Sequence, residues 1–551
     1  MASLSGIRDL YERAKTVTTY RRSDSPAPFW SPVDSAVPEG FQISRSTFTV
    51  SVSPFSTLSF TSSGRHAKGT LLYMHEGSLT TVETIMSAQL PDYDERYDQT
   101  GAAVTSSDSK EASHVKVVVE ARHNSEELLR LCKIGTVQKE LEGGIYIETP
   151  EESARGTLAG ASISFHITFE LPVAVKALDT LRVSSNQFRI LFDPSLSNLA
   201  IANLELSTSD GPIRLDLVRV GRAKIVNLNR LDPRKSSLTN HSDLISGRIV
   251  ASDDLVLDCS NGPISGTYTT TYPNAPLAIK TVNFDIRDVA VRSAGGIYVS
   301  NTNASITGYF FAKELLTIET QHGKVGDANS TFRGERGVRI TTAAAGINGR
   351  FEVAKELAIK SSSMPIDAHV SILSRSAISE QASVLASANI VDRDRPDLVA
   401  AKDAGRSSFE PPSFETAVRN GAGQSTSRGL ETLTVLCETK DSHVMLDFKN
   451  HPREIQLTSE VKTTGGGLVK VTHPKEFVGS FSVATGALQQ AVLDVKPDAD
   501  SDSEVANKKA VSYKIKKRAE IVGTITYEDD SVKPRNSTKI VTSGSAELVV
   551  G

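Results

Sequence analysis

Aromatic side chains are scarce in this chain: they make up 6% of its 551 residues, with one tryptophan, Trp30. The three cysteines, Cys132, Cys259 and Cys437, are widely separated and odd in number. A secreted scaffold held by disulfides carries an even, closely spaced set, so that class is excluded. No CxxC pair offers a metal site, and the expected role of these thiols is that of small buried apolar groups. Charge of one sign is not in excess either. The 61 basic residues face 65 acidic ones, for a net charge of −4, which argues against a nucleic-acid or anionic-membrane surface. No apolar run approaches the ~18 residues of a membrane span, and the opening MASLSGIRDLYERAKTVTTYRR lacks the apolar core of a signal peptide. The expected location is the cytoplasm, with secretion or anchoring only if a further N-terminal segment precedes this one. Glycosylation-type triplets at Asn240, Asn303, Asn329 and Asn536 arise easily by chance in a chain this rich in Asn, Ser and Thr.

The usual marks of catalysis are also missing. There is no GxSxG, HExxH, P-loop or dinucleotide-binding GxGxxG. The histidines, from His66 to His473, have no ligand spacing. Gly465–Gly467 precede no helix-forming segment, so they read as a strand-to-strand turn and not as a phosphate cradle. No catalytic, cofactor-binding or metal-ligating residue is assigned.

What the chain does contain is β texture. Residues 5–18 carry Ile7, Leu10, Tyr11, Ala14 and Val17 at helical spacing, and 23–40 are a proline-rich linker. From residue 41 to about 195, runs such as TFTVSVSPFSTLSF, HVKVVVEARH and ISFHITFELP predict strands, with a helix near 125–134. Between 196 and 372, six segments share one frame, beginning at Leu204, Leu255, Ile297, Leu316, Val338 and Leu357. The first, third and tenth positions are apolar in all six, and the intervening stretch is mostly Ser, Thr, Asn or Asp.

Positions one and three point the same way from a strand. A polar turn follows, with glycine at Gly211, Gly262 and Gly323 expected to supply unusual backbone angles. The tenth position then starts a second strand facing the same core. The last four starts are 19, 22 and 19 residues apart, a period that suits one coil of a β-solenoid. The wider gaps after 204 and 255 are expected to hold degenerate coils or loops. A β-sandwich with similar hairpins is the alternative. Residues 373–430 read as an exposed polar insert, and 431–551 as a β region that continues or caps the array, interrupted by a second polar stretch, KPDADSDSEVANKK. KIKKR at Lys514–Arg518 reads as a solvated strand or loop face.

The segments TSDGPI, CSNGPI and SSSMPI resemble the TSNGPI repeats of fungal proteins, mostly from mushroom-forming species, which are similar in turn to the adhesin β-solenoid domain found in bacteria. The likeness spans most of residues 110–490. Relatives carry a basic stretch and a membrane-spanning helix near the N-terminus, and this chain has neither. The resemblance implies an all-β array, a β-solenoid preceded by a β-rich domain, and it offers no catalytic residues to carry over.

The expected function is therefore non-enzymatic binding or scaffolding, with a protein or glycan partner and no nucleic acid. The alternative is a polysaccharide hydrolase or lyase, since parallel β-helices often carry those activities. Helical pectinases show NxD, DD, GHG and RxK on successive coils. Here Asn283–Asp285 and Asp253–Asp254 mimic the first two in reversed order, His322–Gly323 follows Gln, and no RxK comes after it.

Overall fold

The computed structural model describes residues 28–33, 38–53, 55–78, 113–151, 160–228, 244–374, 431–452, 454–496, 509–527 and 536–551. The helix expected at 5–18, part of the linker, nearly all of the 373–430 insert and most of the later polar stretch lie outside these residues. The fold is all-β. The described residues hold a single α-helix, Glu126–Leu131, and one 3-10 turn, Pro194–Asn198. That helix is shorter than the sequence suggests. Ser125 caps it by accepting a hydrogen bond from the Leu128 amide, but Lys133–Lys139 is already a strand paired antiparallel with Glu142–Glu148. No helix among the described residues is long and apolar enough to cross a membrane. The chain forms two compact units, Met1–Arg230 and Leu231–Gly551.

The second unit is a β-solenoid with two strands per coil. One stack of parallel strands begins Leu255–Cys259, Leu277–Thr281, Ile297–Asn301, Leu315–Thr320, Gly337–Thr342 and Glu356–Ser361. It continues through Glu431–Thr439 and Ile455–Thr463. The return strands form the facing stack, from Ile245–Ala251 to Val469–His473. Each first frame position lies in register with the next: Leu255, Leu277, Ile297, Leu316, Val338, Leu357 and Val435. All seven are buried. The gap between 255 and 297 holds a full coil, LAIKTVNFDI, whose turn carries Phe284 where the six framed segments have Gly, Ala or Met.

In the facing stack stands a column rich in aromatic side chains: Ile249, Tyr268, Val291, Phe310, Phe332, Phe351, Val370 and Phe448. Phe332 stacks between Phe310 and Phe351, with ring centroids 5.6 and 5.3 Å away. Dispersion between rings held at strand spacing adds to their removal from water.

The fifth frame position forms a third column at the turn, Thr281, Asn301, Thr320, Thr342, Ser361, Thr439 and Thr463, and it is polar yet buried. Four of its members accept turn amides through side-chain oxygens: Thr320 Oγ1 from Gly323, Thr342 Oγ1 from Ala345, Ser361 Oγ from Met364, and Asn301 Oδ1 from Asn303 and Ala304. Buried amides without a partner are costly, so these hydroxyl and amide groups fix the turn.

The frame glycines have a different cause from the one the sequence suggests. None of Gly211, Gly262 and Gly323 has a left-handed backbone. Each lies hard against the preceding coil, where an added Cβ would come within 1.8 Å of Phe188 O, 2.0 Å of Leu244 Cδ1 and 1.7 Å of Ala304 O. Room between coils selects them.

The C-terminal end breaks sequence order. Asn536–Thr542 pairs parallel with Ile455–Thr463 on one side and with Gly479–Ala484 on the other. Ala546–Val550 does the same between Val469–His473 and Ala491–Val495. The last coil of the chain thus sits between two coils that precede it in sequence. Beyond it, Lys509–Lys517 and Glu520–Tyr527 form a hairpin paired antiparallel to Gly479–Ala484.

The first unit uses the same device. Thr57–Ser63 pairs parallel with Glu142–Glu148 and with Ala177–Ser185, and Lys68–His75 with Ile163–Leu171 and Gln187–Phe192. An early coil is therefore held between two later ones. Gln42–Val52 and Ser113–His123 add antiparallel strands beside Ile163–Leu171.

Candidate functional site

The residues with a possible catalytic reading are not brought together. Asp253 and Asp254 lie in the turn that leads into Leu255–Cys259, whereas Asn283, Asp285 and His322 lie in turns that leave this stack. These are opposite edges of the solenoid, and a five-residue strand at ~3.3 Å per residue separates them by roughly 17 Å. Paired carboxylates of a glycoside hydrolase sit roughly 5–10 Å apart. Asn283 has a ladder role: it accepts from Asn303 Nδ2 at 2.7 Å and bonds Asn261 in the previous coil. Asp285 accepts the Ser305 amide at 2.8 Å. Among the described residues no cluster of His, Cys, Asp and Glu has the form of a metal site. All three cysteines are free and buried, and burial pushes their thiols up to about 12.

A concave surface does occur on the outer face at the C-terminal end, as a trough of about 570 Å³. Five strands contribute to it: Ile455–Thr463, Asn536–Thr542, Gly479–Ala484, Glu520–Tyr527 and Lys509–Lys517. Its floor is the backbone of a row whose side chains turn away, Ser459, Thr538, Phe481, Gly523 and Tyr513, joined by strand register. Phe481 is buried and runs beneath Gly523, where a Cβ would stand 2.7 Å from its Cζ. Tyr513 meets Phe481 edge-on at 6.3 Å.

The walls are the two flanking rows. One consists wholly of hydroxyl residues in register: Thr458, Ser537, Ser480, Thr524 and Ser512. The other runs Glu460, Lys539, Ser482 and Val522, and ends at Lys514, which a bulge in Lys509–Lys517 adds to the row. Glu460 takes Lys539 at 3.0 Å and Lys462 at 3.2 Å, and hydrogen bonds from these two ammonium groups hold its carboxyl below the usual range. With neighbouring strands ~4.8 Å apart, the trough runs across the sheet for roughly 19 Å.

Sequence reasoning missed this site. KIKKR, read there as a solvated face, spans its outermost strand and the following turn: Lys514 lines the trough, while Lys516 lies 4.7 Å over the Tyr513 ring. Gly465–Gly467 form the turn between Ile455–Thr463 and Val469–His473, as expected.

No protein-family profile matches the chain, and no curated protein does. Among solved structures the chain is similar to one described as a "putative cell adhesion protein" from Clostridium sporogenes, at 7% identity and a TM-score of 0.13, covering 92% of this chain and 99% of that one.

Proposed function

We propose that this chain is a non-enzymatic binding or scaffolding protein, which holds an extended partner chain, glycan or protein, against the outer face of its solenoid. The observation that carries this reading is the trough. It is long, shallow and lined by hydroxyl and ammonium groups, whereas catalysis needs converging groups in an enclosed, partly dehydrated site. The side chains that could mimic a pectinase are spread over opposite edges of the array. Repeat arrays of this kind offer extended faces whose contacts accumulate along a partner.

The test uses the full chain and a panel of polysaccharides, with retention and release of reducing ends or unsaturated products measured together. Retention without cleavage, lost when Ser480→Trp and Ser537→Trp fill the trough, supports the proposal. Reproducible cleavage, abolished by replacing Asp254, Asp285 and His322, would establish the alternative of a carbohydrate-active enzyme.

A further inference from the structure

We infer that the trough selects an acidic polysaccharide, one whose sugar units carry carboxylate or sulfate groups. This rests on the binding reading above and adds a ligand class to it. Two features of the walls point there. The first is the unbroken row of hydroxyls, Thr458, Ser537, Ser480, Thr524 and Ser512, one per strand. A hydroxyl both donates and accepts, which suits the hydroxyl groups of a sugar chain. A pyranose unit also advances such a chain by about one strand spacing, so successive units meet successive rungs.

The second feature is charge. Among the residues lining the trough, Lys514 and Lys539 are basic and Glu460 alone is acidic. Glu460 is already paired with Lys539 and with Lys462, which stands just outside. Lys514 makes no ion pair among the described residues. The strands forming the trough carry Lys462, Lys509, Lys514, Lys516, Lys517 and Lys539 against Glu460 and Glu520, in a chain whose net charge is −4. The excess of positive charge belongs to these five strands.

Other extended anions fit less well. A single-stranded nucleic acid needs aromatic platforms for its bases, yet Phe481 is buried under the floor and Tyr513 turns to the far side. An acidic peptide gains most by adding a strand to a free sheet edge, but the one such edge here, the outer side of Lys509–Lys517, lies at one end of the trough, and the other four strands that the trough crosses are paired on both sides.

Polygalacturonate and its methyl ester share one backbone and differ in charge, so affinity electrophoresis of the full chain in gels containing each polymer decides the matter. Retardation by polygalacturonate and not by the ester is expected, with affinity weakened by about tenfold or more when Lys514→Glu and Lys539→Glu are combined. Lys355→Glu, an exposed site on a distant coil, should leave binding unchanged. Equal retardation by acid and ester, both lost when Ser480→Trp and Ser537→Trp fill the trough, would overturn the charge inference and leave the binding reading intact. Retardation by neither polymer, or a preference for an oligo-dT strand that the double reversal removes, would overturn the inference in favour of no ligand or a different one.

Discussion

Acid should loosen the C-terminal end of the solenoid, and His473 is the group that sets how steeply. Its ring continues the aromatic column, stacked 4.6 Å from Phe448 and 4.1 Å from Phe477, and it is fully buried. Nε2 lies 2.8 Å from Thr538 Oγ1 in the intercalated last coil, and Nδ1 has no partner. Burial first, and then the neighbouring His451, lower its pKa from 6.5 to about 3. The native state therefore keeps this ring neutral while the unfolded chain takes up a proton below 6.5. Its contribution is complete above that value and is lost as pH falls towards about 3. The slope approaches ~1.4 kcal/mol per pH unit, so two units of acidification cost roughly 3 kcal/mol from this residue, a large share of a typical folding free energy of about 5–15 kcal/mol. His451, also lowered by burial, adds in the same direction. Urea midpoints measured from pH 7.5 to 4.5 should fall for the native sequence, and much less for His473→Phe, which keeps the column stacked. Thr538 retains a partner in that variant, because Ser459 Oγ donates to it at 2.9 Å. An unchanged pH slope in His473→Phe would refute the assignment.

Phe332→Ala should cost about 3–5 kcal/mol in urea denaturation, because the ring is lost from the middle of a stack. Phe284→Ala, at a partly exposed turn, should change it by no more than about 0.5 kcal/mol. Ending the chain at Tyr527 should leave two coils with unpaired edges facing an empty slot, so the soluble fraction should fall by sedimentation. Adding the peptide 536–551 in trans should restore it, and a truncated chain that stays soluble and folded without the peptide would count against the slot.

The coil frame was legible because its inward positions repeat: Leu255, Leu257, Ile264, Ile318, Val325, Ile340, Ile347, Ile359 and Ile366 are all buried. The coil at 277 has the same apolar positions but departs from the frame at its turn, where Phe284 stands in place of Gly, Ala or Met. The fifth-position column was visible only as polarity. A Thr that caps a buried turn and a Thr in solvent read alike in one sequence, and only the stacking of coils, which leaves Thr320 or Thr342 no water, separates them. The glycines were found for an incomplete reason. Sequence marks a place where a Cβ is absent, and the structure shows that the obstacle is the preceding coil, a carbonyl at Gly211 and Gly323 and the Leu244 side chain at Gly262, and not the residue's own backbone angles.

The trough was out of reach for a topological reason. Its rows depend on the last coil entering between Ile455–Thr463 and Gly479–Ala484, which sets Thr458 beside Ser537 and Ser537 beside Ser480. A reader who stacks coils in sequence order places Ile455–Thr463 next to Gly479–Ala484, and the row then lacks Ser537 and Lys539. The bulge in Lys509–Lys517 then shifts which lysines reach the wall: Lys514 lines the trough, while Lys516 lies over Tyr513 on the other face. A basic run read as one solvated patch is thus divided between two faces by a single inserted residue. The make-up of the trough's rows follows from register, and register here is set by the spatial order of the coils.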